Sequence, residues 1–229
     1  MAEIKKSDIK KSRPPCAELY RYMEVKHGGN KKIENKKSDI KNKGGTFRMD
    51  LEEKRVGTTE IYDGKIIHVF VDDIELPNGG PAKREIVAHP GGVSIAALTD
   101  ENELLFVRQF RYPYKEITLE LPAGKLEKGQ NPLENGKREL MEETGATGYN
   151  YMSLGKIYPT PGYCTEIIHL YCCRVESFGN QHLDEDEFLN FERIPLDKAV
   201  EMVLNNEIPD AKTQIGVLKT ALLLKSGKI

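Results

Sequence analysis

The chain has 229 residues, 31% charged and 38% hydrophobic, with a formal net charge of −2. That length suits one large domain or two small ones and allows a substantial core. No apolar run approaches a membrane span, and no apolar stretch follows the N-terminal lysines, so neither a spanning helix nor a secretory signal is expected and the expected location is cytoplasmic. The charge is uneven: residues 1–48 hold 14 Lys/Arg against 6 Asp/Glu, and the remainder holds 20 against 30. An acidic body suits metal binding and argues against a nucleic-acid groove. The four cysteines, Cys16, Cys164, Cys172 and Cys173, form no C-x-x-C pair and read as small apolar fillers in a reducing compartment.

Residues 1–48 are rich in Lys, Asn and Gly, and the string KKSDIK occurs at Lys5–Lys10 and again at Lys36–Lys41. A disordered tail, an arm for nucleic acid or acidic membrane, and a translation start at Met49 are the three readings of this segment. A small antiparallel subdomain is expected over 49–90: Lys65–Leu76 is rich in Ile and Val, Pro77-Asn78-Gly79-Gly80 turns, and Ala82–Ala88 returns. Over 91–229 the expected strands are Val93–Leu98, Glu103–Phe110 paired with it, Ile117–Leu121, Glu166–Val175 and Phe188–Ile194. A helix is expected after Asn131, with Asn131 as N-cap, Pro132 as first helical residue, Glu134 completing a capping box and Gly145 closing the helix. Gly136 inside it permits close packing or is tolerated drift. Two more helices, Leu196–Asn205 and Asp210–Leu224, end the chain, the last with Ile215, Leu218 and Leu222 as a core-facing stripe. Strands flanked by helices on both sides imply an α/β/α sandwich with a mixed sheet, of α+β class.

The helix after Asn131 carries Glu139, Glu142 and Glu143, which share one face at spacings i, i+3 and i+4. Three like charges there repel unless something positive sits among them. All-oxygen donors favour a hard divalent ion, Mg²⁺ or Mn²⁺, over zinc.

The stretch Gly124–Ala146, GKLEKGQNPLENGKRELMEETGA, resembles the Nudix box, G-x5-E-x7-R-E-U-x-E-E-x-G-U, where U is aliphatic. Gly124, Arg138, Glu139, Leu140, Glu142, Glu143, Gly145 and Ala146 fall on pattern, and Gln130 replaces the first glutamate. KREIVAHPGGV (Lys83–Val93), RQFRYP (Arg108–Pro113), LELPAGKLEKG (Leu119–Gly129) and LDEDEF (Leu183–Phe188) are similar to the bacterial ADP-ribose pyrophosphatases of that family, and Pro161, 15 residues past Ala146, matches a subfamily marker.

The resemblance implies a fold, a reaction and a set of roles. The fold is the Nudix sandwich with an N-terminal β subdomain. The reaction is metal-dependent hydrolysis of ADP-ribose to AMP and ribose 5-phosphate. Ala123 (through its carbonyl), Glu139, Glu143 and Glu142 match metal positions, with Glu142 as ligand or water holder. Glu185 and Glu187 match the loop acids from which the base comes. Arg84 and Glu85 match nucleotide contacts made across a homodimer with swapped N-terminal sheets, Arg111 a phosphate contact, and Glu120 an acid near the metals. Gly124 lets the loop bend, and Arg138 orients the acids. Gln130 is expected to accept a hydrogen bond from Arg138, so that Gln130→Glu raises stability or metal affinity. Other nucleoside diphosphate sugars or dinucleotides are alternative substrates, and a sensor that binds ADP-ribose without turnover is the alternative of another class.

Overall fold

The computed structural model describes residues 50–127, 129–183 and 187–229. The basic segment 1–48, Met49 and Glu185 lie outside the described residues. The chain divides between Ala88 and His89 into two units.

The first unit holds an antiparallel sheet of β1 (Lys54–Asp63), β2 (His68–Glu75) and β3 (Pro81–Ala88), in that order. Strand β2 alternates as a half-buried strand should, with Phe70, Asp72 and Ile74 inward. Asp72 is satisfied there by the Thr58 hydroxyl, at 2.7 Å. The β2–β3 turn closes where expected: Gly79 takes a left-handed φ of 81° and donates to the Leu76 carbonyl. Sequence reasoning missed β1. It is exposed almost throughout, and register shifts between Arg55/Gly57 and Glu60/Tyr62 break its alternation.

The second unit is a mixed sheet of order β10-β5-β4-β9-β8, comprising β4 (Gly92–Leu98), β5 (Glu103–Arg111), β8 (Ala146–Ile157), β9 (Ile168–Phe178) and β10 (Leu189–Pro195). Strand β4 is buried on both faces. Its even positions Ala96 and Leu98 join Leu170 and Cys172 against α2 (Leu196–Leu204) and α3 (Ala211–Lys225). Val93, Ile95 and Ala97 join Cys173 and Leu140 of α1 (Pro132–Thr144) on the other face. The adjacent cysteines therefore fill opposite cores, as their strand neighbourhood requires.

The expected antiparallel pairing of β4 with β5 is realised only at its base. These strands meet only at Leu98 and Leu104, and β4 instead runs parallel to β9. Between β4 and β5 enters one segment in two pieces. Strand β6 (Glu116–Glu120) pairs with β5, the chain turns at Leu121-Pro122, and β7 (Ala123–Lys125) pairs with β4. Pro122 offers its carbonyl to the Ile95 N–H and the Ser94 hydroxyl, both at 3.0 Å. This split in the sheet delivers Glu120, Ala123 and Gly124 to one place.

Strand β8 also escaped sequence reasoning. Its three register shifts and left-handed Asn150 and Gly155 leave no readable alternation. In α3 the buried positions are Lys212, Thr213, Gly216, Val217 and Thr220, whereas Leu222 is 67% exposed. Of the expected Ile215–Leu218–Leu222 stripe, Ile215 and Leu218 pack half-buried against the core and only Leu222 turns to solvent. Small and polar contacts also dock the helix: the Thr213 hydroxyl accepts from the Leu121 N–H at 2.9 Å, and Leu121 lies where a Cβ on Gly216 would be.

Candidate active site

Helix α1 begins and ends on local signals. The Asn131 side chain accepts from the Leu133 N–H at 2.9 Å, Pro132 follows, and Gly145 takes φ 70° with its N–H on the Met141 carbonyl. The reciprocal arm of the capping box is corrected: Glu134 pairs with Lys137 at 2.8 Å. A half-buried lysine one turn on competes for that carboxylate.

The helix lies directly on β4 because position 136 has no side chain. A Cβ there would stand 2.7 Å from Ile95 Cδ1 and 2.9 Å from Val93 Cγ2. Of the two readings of Gly136, close packing is the one realised. The same face buries Asn135, Glu139 and Glu143. Asn135 donates to the Lys125 carbonyl at 3.0 Å, fixing the helix to the loop after β7. Gly124 sits against Glu139: a Cβ on Gly124 would fall 2.0 Å from the Glu139 Cδ. Only glycine admits the carboxylate there.

Glu143 is 3% exposed and accepts from the Ala123 N–H at 3.0 Å. Burial pushes its carboxyl up to about 8, Glu139 and Glu187 add repulsion, and the Ala123 bond only partly opposes them. Burial likewise raises Glu139, with Arg138 opposing and Glu142 and Glu187 adding to the rise. Glu187 therefore lies within electrostatic reach of both helix acids. Arg138 contacts Glu139 at 2.5 Å, Asn135 at 3.0 Å, and also Glu142.

Gln130 departs from expectation. Its Nε2 donates to Glu127 at 2.8 Å, and its Oε1 is buried without a partner among the described residues. Arg138 is already committed to Glu139, Glu142 and Asn135, and Glu127 adds negative charge near it.

A second charged cluster forms where the sheet splits. Glu120, 2% exposed, accepts from Arg111 Nε and Nη2, each at 2.6 Å, from the Thr118 hydroxyl at 2.6 Å, and from Lys212. Burial would raise its pKa, but Arg111 and Lys212 together hold it down to about 2. Lys212 also bonds Asp210 at 3.0 Å, and Asp210 caps α3 through the Thr213 N–H. The Nε–Nη2 edge of Arg111 is thus engaged by Glu120. Lys212 was not anticipated. Its one sequence signal is a lysine in the first turn of a helix, where the dipole disfavours a cation lacking an acidic partner.

Arg84 pairs with Glu53, and Glu85 is exposed, both within the first unit. Pro161 is exposed in the turn after β8, at the sheet end that carries Gly92 and Lys125. A cavity of about 460 Å³ lined by Tyr149, Tyr151, Met152, Arg174, Lys228 and Ile229 shares none of these residues.

Among the described residues no three His, Cys, Asp or Glu side chains converge at ligand distance. Arg138 draws Glu139 and Glu142 to itself, while Ala123 holds Glu143. The donor chemistry nevertheless fits a hard divalent cation. The donors are carboxylate oxygens, the two buried acids have their pKa values raised by burial and by neighbouring carboxylates, and Gly124 brings loop backbone against Glu139.

Residues 88–215 match the family model described as the NUDIX domain, and residues 53–87 match the nucleoside diphosphate sugar hydrolase N-terminal domain. The chain is 43% identical to an ADP-ribose pyrophosphatase of Bacillus subtilis, over 75% of this chain and 96% of that protein. It is 44% identical to a methanol dehydrogenase activator of Bacillus methanolicus, over 73% and 91%. A solved structure of an ADP compounds hydrolase superposes with a TM-score of 0.68 at 19% identity, over 79% of this chain and 99% of that one, which speaks to the fold. With the domain model spanning more than half its length and a relative matched almost end to end, the chain belongs to the Nudix family.

Proposed function

We propose that this Nudix hydrolase cleaves the pyrophosphate bond of ADP-ribose with water, giving AMP and ribose 5-phosphate, with Mg²⁺ or Mn²⁺ as its metal. The observation that carries the reading is the buried acid face of α1 beneath Ala123-Gly124, in a chain similar to an ADP-ribose pyrophosphatase over nearly that protein's whole length.

Glu139, Glu143 and Glu142, with the Ala123 carbonyl, would hold the metal. When bound, it supplies charge neutralisation of the diphosphate and Lewis acidity at phosphorus. Arg138 competes for the same carboxylates, so loading requires Glu139 and Glu142 to turn from it. Glu187 or Glu185 takes the proton of the attacking water, and Glu187 is already within electrostatic reach of the helix acids. Arg111 contacts a phosphate while Glu120 and Lys212 fix its direction. Arg84 and Glu85 contact the nucleotide in a homodimer with swapped N-terminal sheets, and the protein works in the cytoplasm. No helix among the described residues is long and apolar enough to cross a membrane.

The test is a product assay. Purified protein with Mg²⁺ is given ADP-ribose, ADP-glucose, UDP-glucose, flavin adenine dinucleotide and a nucleoside triphosphate, and products are resolved by chromatography. AMP and ribose 5-phosphate formed fastest from ADP-ribose supports the reading. Faster cleavage of another diphosphate keeps the chemistry and changes the substrate. Binding of ADP-ribose with no cleavage of any compound favours the sensor. The activator relative supports a second reading, in which the chain acts on a partner dehydrogenase. That role is tested by whether the protein raises the rate of a methanol dehydrogenase in a coupled assay.

A further inference from the structure

The C-terminal end of α1 is unusually well tied. Its last turn has no basic residue, so its free carbonyls need other donors. Three come from one short segment: the Gly179 N–H reaches the Gly145 carbonyl at 2.7 Å, the His182 N–H reaches Glu142 at 3.0 Å, and Gln181 Nε2 reaches Glu143 at 2.5 Å. The last is a side chain on a solvent-exposed residue. It grips the backbone of the very residue whose carboxylate is buried in the candidate site.

Just downstream, the chain re-enters the sheet as β10, where Leu189 pairs with Gln109 of β5. Residue 187 therefore lies two positions from one fixed point and six from Gln181. The first anchor is on the acid-bearing helix and the second on the sheet. We propose that Gln181 is a positioning residue: by holding residues 179–183 to the end of α1 it sets where Glu187 stands relative to Glu139 and Glu143. The inference rests on the hydrolase reading above. Removing the tie leaves the fold and the helix acids intact but lets Glu187 drift, and small misplacement of a reacting group is costly in rate.

The experiment compares wild type with Gln181→Met, which keeps length but loses the donor, and Gln181→Arg, which keeps a donor. Steady-state hydrolysis of ADP-ribose is measured with Mg²⁺, alongside melting and hydrogen exchange of the His182 amide in metal-free protein. Gln181→Met is expected to lower kcat about tenfold with KM within about twofold, leave melting nearly unchanged and speed His182 exchange, while Gln181→Arg restores most of kcat. A merely structural role would shift melting without this kcat-against-KM split. An unchanged kcat, an unchanged His182 exchange rate, or a Gln181→Arg variant as impaired as Gln181→Met overturns the inference while wild-type turnover leaves the hydrolase reading standing. Wild-type protein that cleaves none of the diphosphate substrates overturns both.

Discussion

Lys212 offers the sharpest test of how the candidate site is held. Glu120 is almost wholly buried, yet its carboxyl is held at about 2 against an ordinary 4.5. At about 1.4 kcal/mol per unit, the depression corresponds to about 3 kcal/mol of stability at neutral pH. The folded value lies below the unfolded one, so this contribution is complete above pH 4.5 and is lost as pH falls toward 2. Burial works against the charge, and Arg111 and Lys212 overcome it together. Lys212→Met keeps the side chain's length and leaves Glu120 one cation to meet the same burial penalty. Breaking a buried ion pair costs roughly 3–5 kcal/mol. Arg111 remains bidentate, so the lower end, about 3 kcal/mol, is expected at pH 7. For a chain of this size that is a fall in Tm of about 6–12 °C. Urea unfolding of wild type, Lys212→Met, Glu120→Gln and the double variant gives the coupling directly, with about 2 kcal/mol expected between the two sites. The deficit of Lys212→Met should shrink as pH falls from 4.5 through 2, below which Glu120 is neutral in both proteins. Additivity within about 0.5 kcal/mol at pH 7 would refute the reasoning.

The remaining predictions concern α1 and its loop. Glu139→Gln and Glu143→Gln should each lower turnover at least about a hundredfold, by analogy with loss of other preorganised charge-stabilising groups, and near-normal turnover in both would sink the metal assignment. Glu143 has its folded pKa raised to about 8, so the metal-free protein should lose stability as pH rises from 4.5 to 8, on the order of 4 kcal/mol from this group. Added Mg²⁺ or Mn²⁺ should offset that loss with proton release, and melting curves with and without metal at pH 5.5 and 8 check the sign. Gly136→Ala should destabilise by about 1–3 kcal/mol despite alanine's higher helix propensity, because its methyl group meets Ile95 and Val93. Gln130→Glu should lower the stability of metal-free protein by about 0.5–1 kcal/mol, since it sets a carboxylate against Glu127; a rise in Tm would restore the original expectation.

The sequence by itself determined what nearest neighbours along the chain can encode. Asn131, Pro132 and Gly145 bound α1 because capping is a contest among residues a few positions apart. Glu139, Glu142 and Glu143 share a face because helical period dictates it. Strands with unbroken apolar runs or clean alternation, such as β4 and β2, were legible for the same reason. Strands β1 and β8 were not, because bulges and left-handed residues interrupt their period. Tertiary structure alone decided which groups meet across distance. It splayed β4 from β5 beyond Leu98 and slid β6 and β7 between them, turned Leu222 of α3 out to solvent, and gave Gln130 to Glu127. It joined Lys212 to Glu120, 92 residues earlier in the chain. A carboxylate's partner, and hence whether its pKa rises to about 8 like Glu143 or falls to about 2 like Glu120, depends on which charges share its burial. Local spacing carries no record of that.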